Sequence, residues 1–261
     1  MPTEPSAGSV APAPSISVIL ATLNERDSLP ELTDRIFRLS AGPIEVIVID
    51  DGSTDGTREF VTDLAAREPR LRPIFHDGKQ TTLRAQSQGI EQARGRYVIV
   101  MDADLQHPPE KIPEMVGELE RGATLVVASR YARGGAPGPR TPYRLLLSRG
   151  AEWIAKLSLP EARRVSDPVS GYFGFRREVF VPFNPRFRGY KLLLFALVMN
   201  GPRPIAEVGF RFEPRAHGAS KMTQGFRFIR VFLIETFLAS RFRRSLPRSP
   251  APPETPIARR S

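Results

Sequence analysis

The fold prediction depends on one stretch of the sequence, in which an apolar run ends abruptly in two aspartates: Arg96-Tyr97-Val98-Ile99-Val100-Met101-Asp102-Ala103-Asp104-Leu105-Gln106. In an extended chain, residues i and i+2 project to the same side. Asp102 and Asp104 can therefore direct both carboxylates to one point beyond a buried strand, and Gln106 lies on that side as well. Two interpretations follow: a site for a hard divalent cation, or a polar turn in which aspartate is a common residue.

Similar apolar runs, separated by amphipathic segments, indicate further strands and helices. The strands are predicted over residues 16–21, 45–50, 71–75, 97–101 and 124–128, with shorter strands after residue 172 and over 205–212. The helices are predicted from about 28 to 39, after 57, over 81–92, from Pro108, over 143–157 and over 192–199. Continuously apolar strands that alternate with helices predict an α/β fold, a mostly parallel sheet with helices on both faces.

Polar residues follow three of these strands, at Asn24-Glu25, Asp50-Asp51 and Asp102-Asp104. In a parallel sheet the carboxyl ends of the strands meet at one edge, and ligands bind outside that edge. Three polar strand ends at one edge favour the cation site over the simple turn.

Composition excludes several kinds of site. The chain has 261 residues, enough for one large domain, and it has no cysteine and only three histidines. Disulfides, thiolate metal sites and cysteine nucleophiles are therefore excluded, and a zinc site is not expected. The first residues lack the pattern of a signal peptide, and no apolar run approaches the roughly 18–20 residues that span a bilayer. A cytoplasmic location is expected.

The positive charge is concentrated near the carboxyl end. Residues 201–261 hold 12 Lys/Arg and 4 Asp/Glu, whereas the first 200 residues hold 26 and 24. Residues 223–244 combine a wide apolar face with arginines, which is typical of an amphipathic helix at a membrane interface; a helix docked on the sheet is the alternative. The predicted organisation is a disordered tail over 1–15, one α/β domain over 16–222, this C-terminal amphipathic helix, and a disordered basic tail over 245–261.

Several blocks resemble the family 2 glycosyltransferases, which have the GT-A fold. The blocks are Ser17–Glu25, Glu45–Thr57, Val98–Glu110 and Val127–Tyr131. Within that family, three segments are most similar to polyprenyl-phosphate (dolichol-phosphate) mannosyltransferases: Met101–Glu110, Ser166–Tyr172 and Arg215–Lys221. The resemblance covers about residues 16–222, and its strength lies in the order and spacing of the blocks.

The resemblance implies a role for each matching residue. Asp102, Asp104 and Gln106 would bind a Mg²⁺ or Mn²⁺ ion that bridges the diphosphate of a sugar nucleotide. Asp104 also counts among the catalytic residues, with Arg130, Arg144 and Ser148, which would hold the phosphate of a lipid acceptor. The residues implied in donor binding are Leu23, Asn24, Glu25, Asp51, Lys79, Asp102, Arg215, Ser220 and Lys221.

The implied reaction moves a hexose, most simply mannose from GDP-mannose, to a polyprenyl monophosphate with inversion. The only tryptophan is Trp153, outside the Gln-x-x-Arg-Trp motif of processive synthases in this family, which favours a single transfer. Some positions depart from the family pattern: no aromatic residue precedes Asn24, the glycine-rich run after Lys79 is missing, and Phe195 replaces a glutamate. The carboxyl-terminal transmembrane segments of many relatives are also absent, so a membrane-protein partner is a possible substitute. The implied location is peripheral, on the inner face of the membrane.

Three alternatives stay open at this point. A family 2 transferase can use another donor, such as UDP-glucose, or a glycan hydroxyl as acceptor. The basic tail can belong to a nucleic-acid-binding protein, although its arginines follow an apolar helix and no recognised nucleic-acid motif, so no nucleic acid is expected as partner. A non-catalytic sugar-nucleotide binder is the third alternative, and the joint presence of Asp102, Asp104 and Arg130 argues against it.

Overall fold

The computed structural model describes residues 14–78, 80–138, 142–179, 191–214, 233–234 and 236–241, with the backbone alone for residues 142–147. The strands are β1 Ile16–Thr22, β2 Ile44–Asp50, β3 Leu71–Phe75, β4 Tyr97–Asp102, β5 Leu125–Ser129, β6 Phe173–Arg176 and β7 Ile205–Gly209. The α-helices are α1 Leu29–Phe37, α2 Thr57–Arg67, α3 Thr82–Glu91, α4 Ile112–Glu120, α5 Pro142–Ser158 and α6 Leu192–Asn200. Short 3-10 turns are Pro109–Lys111, Pro160–Arg164 and Arg177–Val179.

All seven strands form one sheet in the order β3-β2-β1-β4-β6-β5-β7. The first four strands in the chain pair in parallel, and β5 pairs in parallel with β7. β6 runs antiparallel to both of its neighbours, β4 and β5. The mostly parallel α/β sheet that the sequence predicts is therefore confirmed.

Helices cover both faces of the sheet, as its apolar strands require. Alternate side chains of each central strand point to opposite faces, so Ile19 and Val98 pack with α3, α5 and α6, whereas Val18 and Ile99 pack with α1, α2 and α4. Each of these aliphatic side chains is fully buried. Burial of one such side chain stabilises the fold by about 1.5–3 kcal/mol.

A buried carboxylate joins the amino ends of the first strands. Glu45 accepts hydrogen bonds from Ser17 Oγ at 2.6 Å, from the Arg94 amide at 2.7 Å and from Arg72 Nη1 at 3.1 Å. The Gly95 amide donates to Ser17 Oγ at 2.8 Å, and a Cβ at Gly95 would lie 2.6 Å from the Ser17 nitrogen. These contacts connect β1, β2 and β3 with the turn before β4 and hold the strands in register.

Two predicted boundaries differ from the structure by more than two residues. The helix expected from Pro108 begins as the 3-10 turn at 109–111 and becomes α4 at Ile112. The strand expected over 205–212 ends at Gly209, because the loop at Arg133 crosses it so closely that a Cβ there would lie 2.1 Å from the Arg133 carbonyl oxygen. Pairing resumes only as an isolated bridge between Ala136 and Arg211.

Among the described residues, no helix is long and apolar enough to cross a membrane. Of the predicted amphipathic helix over 223–244, only residues 233–234 and 236–241 are described, and all of these are helical. The rest of that prediction lies outside the described residues, as do residues 1–13 of the tail predicted over 1–15 and the whole tail predicted over 245–261.

We predict that Glu45→Gln destabilises the protein at pH 7 by about 1–3 kcal/mol, since it removes a charged hydrogen-bond acceptor. Burial raises the pKa of Glu45, but the hydrogen bonds from Ser17, Arg94 and Arg72 outweigh burial and bring the pKa below its ordinary 4.5. The stabilisation is therefore complete above pH 4.5 and is lost as the pH falls through the lowered pKa.

Urea unfolding at pH 7 and at several values below 4.5 measures this difference between wild type and variant. The exposed Glu59→Gln on α2 is the matched control and is expected to change stability by less than about 0.5 kcal/mol. A difference for Glu45→Gln that stays constant across this pH range would contradict the prediction.

Candidate active site

The register of the central strands brings three polar strand ends to one edge of the sheet. Ala21 of β1 pairs with Asp102 of β4, and Thr22 pairs with Asp50 of β2. The order across the sheet reverses between β1 and β4, which is the place where open α/β sheets bind ligands. The residues after β1, β2 and β4 therefore line the candidate site.

The loop after β1 is bound to the turn after β2. Asn24 has a φ of 55°, a left-handed conformation that asparagine tolerates better than most residues. The backbone amide of Asn24 donates to Ser53 Oγ at 2.8 Å, and its side-chain Oδ1 accepts from the backbone amide of Thr54 at 2.9 Å. The Glu25 amide donates to Thr57 Oγ1 at 3.0 Å. The predicted donor residues Leu23, Asn24 and Glu25 thus lie on a loop that Asn24 itself anchors.

Asp51 is held by a histidine to which the sequence assigned no role. His76 follows β3 directly, and its Nδ1 lies 2.7 Å from Asp51 Oδ1. Its Nε2 lies 2.6 Å from Gln88 Oε1 on α3. These two contacts hold the imidazole of His76 between Asp51 and Gln88. The rule that ligands bind beyond strand ends could have drawn attention to His76, since it follows a strand that parallels β2.

Asp50 and Asp55 have structural roles beside Asp51. Asp50 is fully buried and accepts hydrogen bonds from the amide and the hydroxyl of Ser53. Asp55 Oδ1 accepts from the Thr57 amide at 3.1 Å, at the start of α2. Burial raises the pKa of Asp55, but hydrogen bonds from Thr57 and the Arg26 amide outweigh it and lower the pKa. Asp55 therefore stabilises the beginning of the helix.

The two aspartates of the central motif differ in exposure. The Asp102 side chain is 49% exposed, whereas Asp104 is buried and its Oδ1 accepts from the Gln106 amide at 3.2 Å. Between them and Gln106, Leu105 has a φ of 62°, a left-handed conformation that costs a bulky residue about 1–2 kcal/mol. Leu105 is 6% exposed, so burial of its side chain offsets this cost. No residue pattern predicts this turn.

The buried side chain of His107 stabilises the backbone of this motif. The Asp102 amide donates to His107 Nδ1 at 3.1 Å, so the ring proton lies on Nε2. The ring stacks on Tyr172 at 5.1 Å between centroids and contacts Phe210 and Phe212 edge-on. Burial lowers the pKa of His107 although the nearby carboxylates raise it, and the imidazole is neutral. A neutral, fully buried ring therefore fixes the backbone at the first aspartate.

Gln106 joins the motif to the segment after β7. Its Nε2 donates to the Glu213 carbonyl oxygen at 3.1 Å, and the Glu213 amide donates to the Gln106 carbonyl oxygen at 3.2 Å. The predicted donor residues Arg215, Ser220 and Lys221 follow in the chain but lie outside the described residues, as does Lys79. The structure thus connects Gln106 to Glu213, which precedes these residues in the chain.

The donor atoms present here fit a hard divalent cation. Asp102 and Asp104 supply carboxylate oxygens. The side-chain amide of Gln106 donates through its nitrogen, and its oxygen is suited to bind a cation. Gly171 makes room beside Asp102, because a Cβ there would lie 2.9 Å from Asp102 Oδ2. Within the described part of the chain, no group of three His, Cys, Asp or Glu forms a closed metal site. Mg²⁺ commonly takes one or two carboxylates and completes its shell with substrate phosphates, and the carboxylates of Asp102 and Asp104 suit that mode of binding.

The residues predicted to hold the acceptor phosphate lie beyond β5 and on α5. Arg130 follows β5 and is 8% exposed; its Nε and Nη2 donate to the two oxygens of Asp167 at 2.6 and 2.7 Å. Burial lowers the pKa of Arg130, but Asp167 outweighs burial and raises it. Ser148 Oγ donates to Glu152 Oε1 at 3.4 Å, and burial raises the pKa of Glu152. Arg144 lies on α5, and its side chain is outside the described residues.

A family profile described as Glycosyl transferase family 2 matches residues 17–181, more than half of the chain. The chain belongs to glycosyl transferase family 2. The dolichol-phosphate mannosyltransferase of Pyrococcus furiosus is 39% identical over 210 residues, which cover 79% of this chain and 59% of the relative. The dolichol-phosphate mannosyltransferase of Saccharomyces cerevisiae is 34% identical over 222 residues, which cover 79% and 80%. This family 2 chain therefore spans about three fifths of the archaeal relative and four fifths of the yeast one.

A solved structure shares the fold of the chain. The crystal structure of glucosyl-3-phosphoglycerate synthase from Mycobacterium tuberculosis in complex with Mg²⁺ and uridine-diphosphate superposes with a TM-score of 0.62. It is 25% identical, and the match covers 87% of this family 2 chain and 79% of the other. The GT-A fold predicted from the sequence is confirmed by this similarity and by the seven-stranded sheet.

We predict that Asp167→Asn destabilises the protein by about 3–5 kcal/mol, because it leaves the buried Arg130 without its charged partner. The matched control is Glu110→Gln, which breaks a similar two-point contact with Arg35 that is partly exposed. An exposed pair of this kind contributes about 0–1 kcal/mol. Urea unfolding of both variants tests the difference, and equal losses of stability would contradict it.

Proposed function

We propose that the chain transfers mannose from GDP-mannose to a polyprenyl or dolichyl monophosphate, with inversion at the anomeric carbon. The observation that carries this proposal is the strand register, which aligns Asp51, Asp102 and Asp104 at one edge of the sheet. The names of the archaeal and yeast relatives, both dolichol-phosphate mannosyltransferases, support the choice of sugar and acceptor.

The chemistry of the proposed step follows from charge. An oxygen of the acceptor phosphate forms a bond to the anomeric carbon while the bond from that carbon to the diphosphate breaks and GDP leaves. Negative charge grows on the diphosphate, and a bound Mg²⁺ or Mn²⁺ supplies Lewis-acid stabilisation of that charge. In the proposal Asp102, Asp104 and Gln106 hold the cation. Arg215, Ser220 and Lys221 contact the diphosphate, with Lys79 nearby.

The proposed acceptor removes the need for a catalytic base. A phosphate monoester has a second pKa of about 6, so it is largely a dianion at neutral pH and attacks without losing a proton. The acceptor phosphate instead needs positively charged side chains that hold it in position. Arg144 and Ser148 are four residues apart on α5 and can reach one anion from the same helix face. Two nitrogens of Arg130 donate hydrogen bonds to Asp167. Arg130 therefore contributes to the proposed acceptor-phosphate site mainly through its positive charge.

In the proposal Leu23, Asn24, Glu25 and Asp51 contact the nucleoside of the donor. A uridine donor such as UDP-glucose is the second candidate, because the similar solved structure from M. tuberculosis contains uridine-diphosphate. Asp51 is compatible with both bases, since a carboxylate oxygen can accept a hydrogen bond from an N–H group of guanine or uracil.

We also propose a peripheral location at the cytoplasmic face of the membrane. A polyprenyl phosphate keeps its chain in the bilayer, so an enzyme that uses it as acceptor meets its phosphate at the membrane surface. Residues 223–244 are proposed to contribute to that contact. A membrane protein can serve as an additional partner there.

We predict that Asp104→Asn lowers mannosyl transfer by about 100-fold or more, because it removes charge from the proposed cation site. Binding of Mn²⁺ in the presence of GDP, measured by electron paramagnetic resonance, should weaken in parallel while the circular dichroism spectrum stays unchanged. The exposed Asp63→Asn on α2 is the matched control. If Asp104→Asn binds Mn²⁺ with the affinity of the wild type, Asp104 is not a ligand of the metal.

A donor screen tests the reaction itself. The chain is incubated with Mn²⁺, a short polyprenyl phosphate and either GDP-mannose, UDP-glucose or GDP-glucose, and the lipid product is identified by mass. We expect the mass of a mannosyl phospholipid from GDP-mannose alone. A product from UDP-glucose alone would establish the second candidate, and transfer to a sugar hydroxyl in place of the phosphate would contradict the proposed acceptor.

A further inference from the structure

His76 lies at the ligand-binding edge of the sheet, although the proposed reaction gives it no role. It directly follows β3, which pairs in parallel with β2 as far as Phe75 and Asp50. The next residues of the two strands, His76 and Asp51, therefore lie side by side. The His76 amide continues the pairing, since it donates to the Asp50 carbonyl oxygen at 2.9 Å.

The side chain of His76 bridges the end of β2 and helix α3. Its Nδ1 lies 2.7 Å from Asp51 Oδ1, and its Nε2 lies 2.6 Å from Gln88 Oε1. The His76 side chain is 12% exposed and the Asp51 side chain 10%. Each ring nitrogen is thus within hydrogen-bond distance of a polar partner, in a place that is mostly shielded from water.

Arg58 of α2 holds the backbone of His76. Its Nη2 donates to the His76 carbonyl oxygen at 3.0 Å, and its guanidinium lies over the Phe75 ring, 4.9 Å from the centroid. The backbone of His76 is therefore bound through its amide to β2 and through its carbonyl to α2. Because its own backbone is held in this way, the imidazole can fix the orientation of the carboxylate that it contacts.

We propose that His76 is a positioning residue that acts on the donor nucleoside through Asp51. The inference rests on the contact between Asp51 and the base that the proposed function includes. An ionised carboxylate only accepts hydrogen bonds, so in the proposal Nδ1 donates to Oδ1. The last torsion of an aspartate side chain is otherwise broad and roughly twofold. The contact gives Oδ2 one orientation before the nucleotide binds, which lowers the ordering cost of binding.

This arrangement favours nucleotides whose base has a ring N–H group. Guanine has such a group at N1 and uracil at N3, and either can donate to a carboxylate oxygen. The N1 atom of adenine has no hydrogen, so adenine presents an acceptor to the carboxylate. A site built around such a hydrogen bond rejects an analogue that lacks the donor. His76 thereby increases the preference for GDP or UDP over ADP, whichever sugar is transferred.

Nucleotide binding in the absence of lipid tests this role. Isothermal titration of the full chain with GDP, UDP and ADP, each with Mg²⁺, gives the dissociation constant for each base. We expect the wild type to prefer GDP or UDP to ADP. His76→Leu should reduce that preference about tenfold, because the hydrogen bond to the charged Asp51 is lost. Affinity for ADP should change little, since the contacts with the diphosphate are unaffected.

Two further variants separate positioning from a merely structural contact. His76→Asn places an amide nitrogen as many bonds from the backbone as the imidazole Nδ1. It should therefore retain most of the preference, although it gives up the contact with Gln88. In the Asp51→Ala background, His76→Leu should leave the preference unchanged, because His76 acts through Asp51. Equal loss of affinity for all three nucleotides in His76→Leu would indicate general destabilisation and would overturn the proposal.

Three other results would also overturn it. They are a wild type that binds ADP as tightly as GDP and UDP, a His76→Asn variant that loses as much preference as His76→Leu, and an effect of His76→Leu that persists without the Asp51 carboxylate. Mannosyl transfer by the wild type to a polyprenyl phosphate is measured separately. If transfer fails while His76 controls the choice of base, the proposed function is contradicted and the role of His76 is retained.

Discussion

Parallel pairing of β1 with β2 on one side and β4 on the other determines where every carboxylate of the candidate site lies. A shift of one residue in either pairing would turn the strand side chains to the opposite face, which the two apolar cores forbid. The buried Glu45 and its partners Ser17 and Arg72 reinforce this register at the amino ends of the strands. At the opposite ends, where Asp51 and Asp102 lie, the contacts of Asn24 with Ser53 and Thr54 join the loop after β1 to the turn after β2.

Most polar groups around the site are already engaged with other protein groups. Asn24 binds the turn after β2, His76 binds Asp51, and Arg130 binds Asp167. Asp102 differs from its buried neighbour Asp104 in being half exposed. Groups held in advance cost little reorganisation when charge develops nearby, so this arrangement suits electrostatic stabilisation of a leaving diphosphate.

Sequence patterns predicted the strands well because each is an uninterrupted apolar run, and the rule on strand ends placed Asp51, Asp102 and Asp104 together. They could not predict contacts between residues that are distant in the chain. His76 meets Asp51, and Asp167 meets Arg130, only because the sheet order brings β3 beside β2 and the loop before β6 beside the end of β5. The left-handed turn at Leu105 and the two-way contact between Gln106 and Glu213 likewise depend on tertiary packing, which overrides local preference.

The antiparallel strand β6 has a consequence for how the chain is synthesised and folded. It lies between β4 and β5, although it follows both in the chain. Until Phe173–Arg176 has emerged from the ribosome, β4 and β5 each have an edge of unpaired amides and carbonyls that can join strands of other molecules. Nascent chains that stop before β6 are therefore the ones exposed to aggregation. Chaperone protection matters most over the 43 residues that separate the end of β5 from the start of β6, since Ser129 and Phe173 bound that gap.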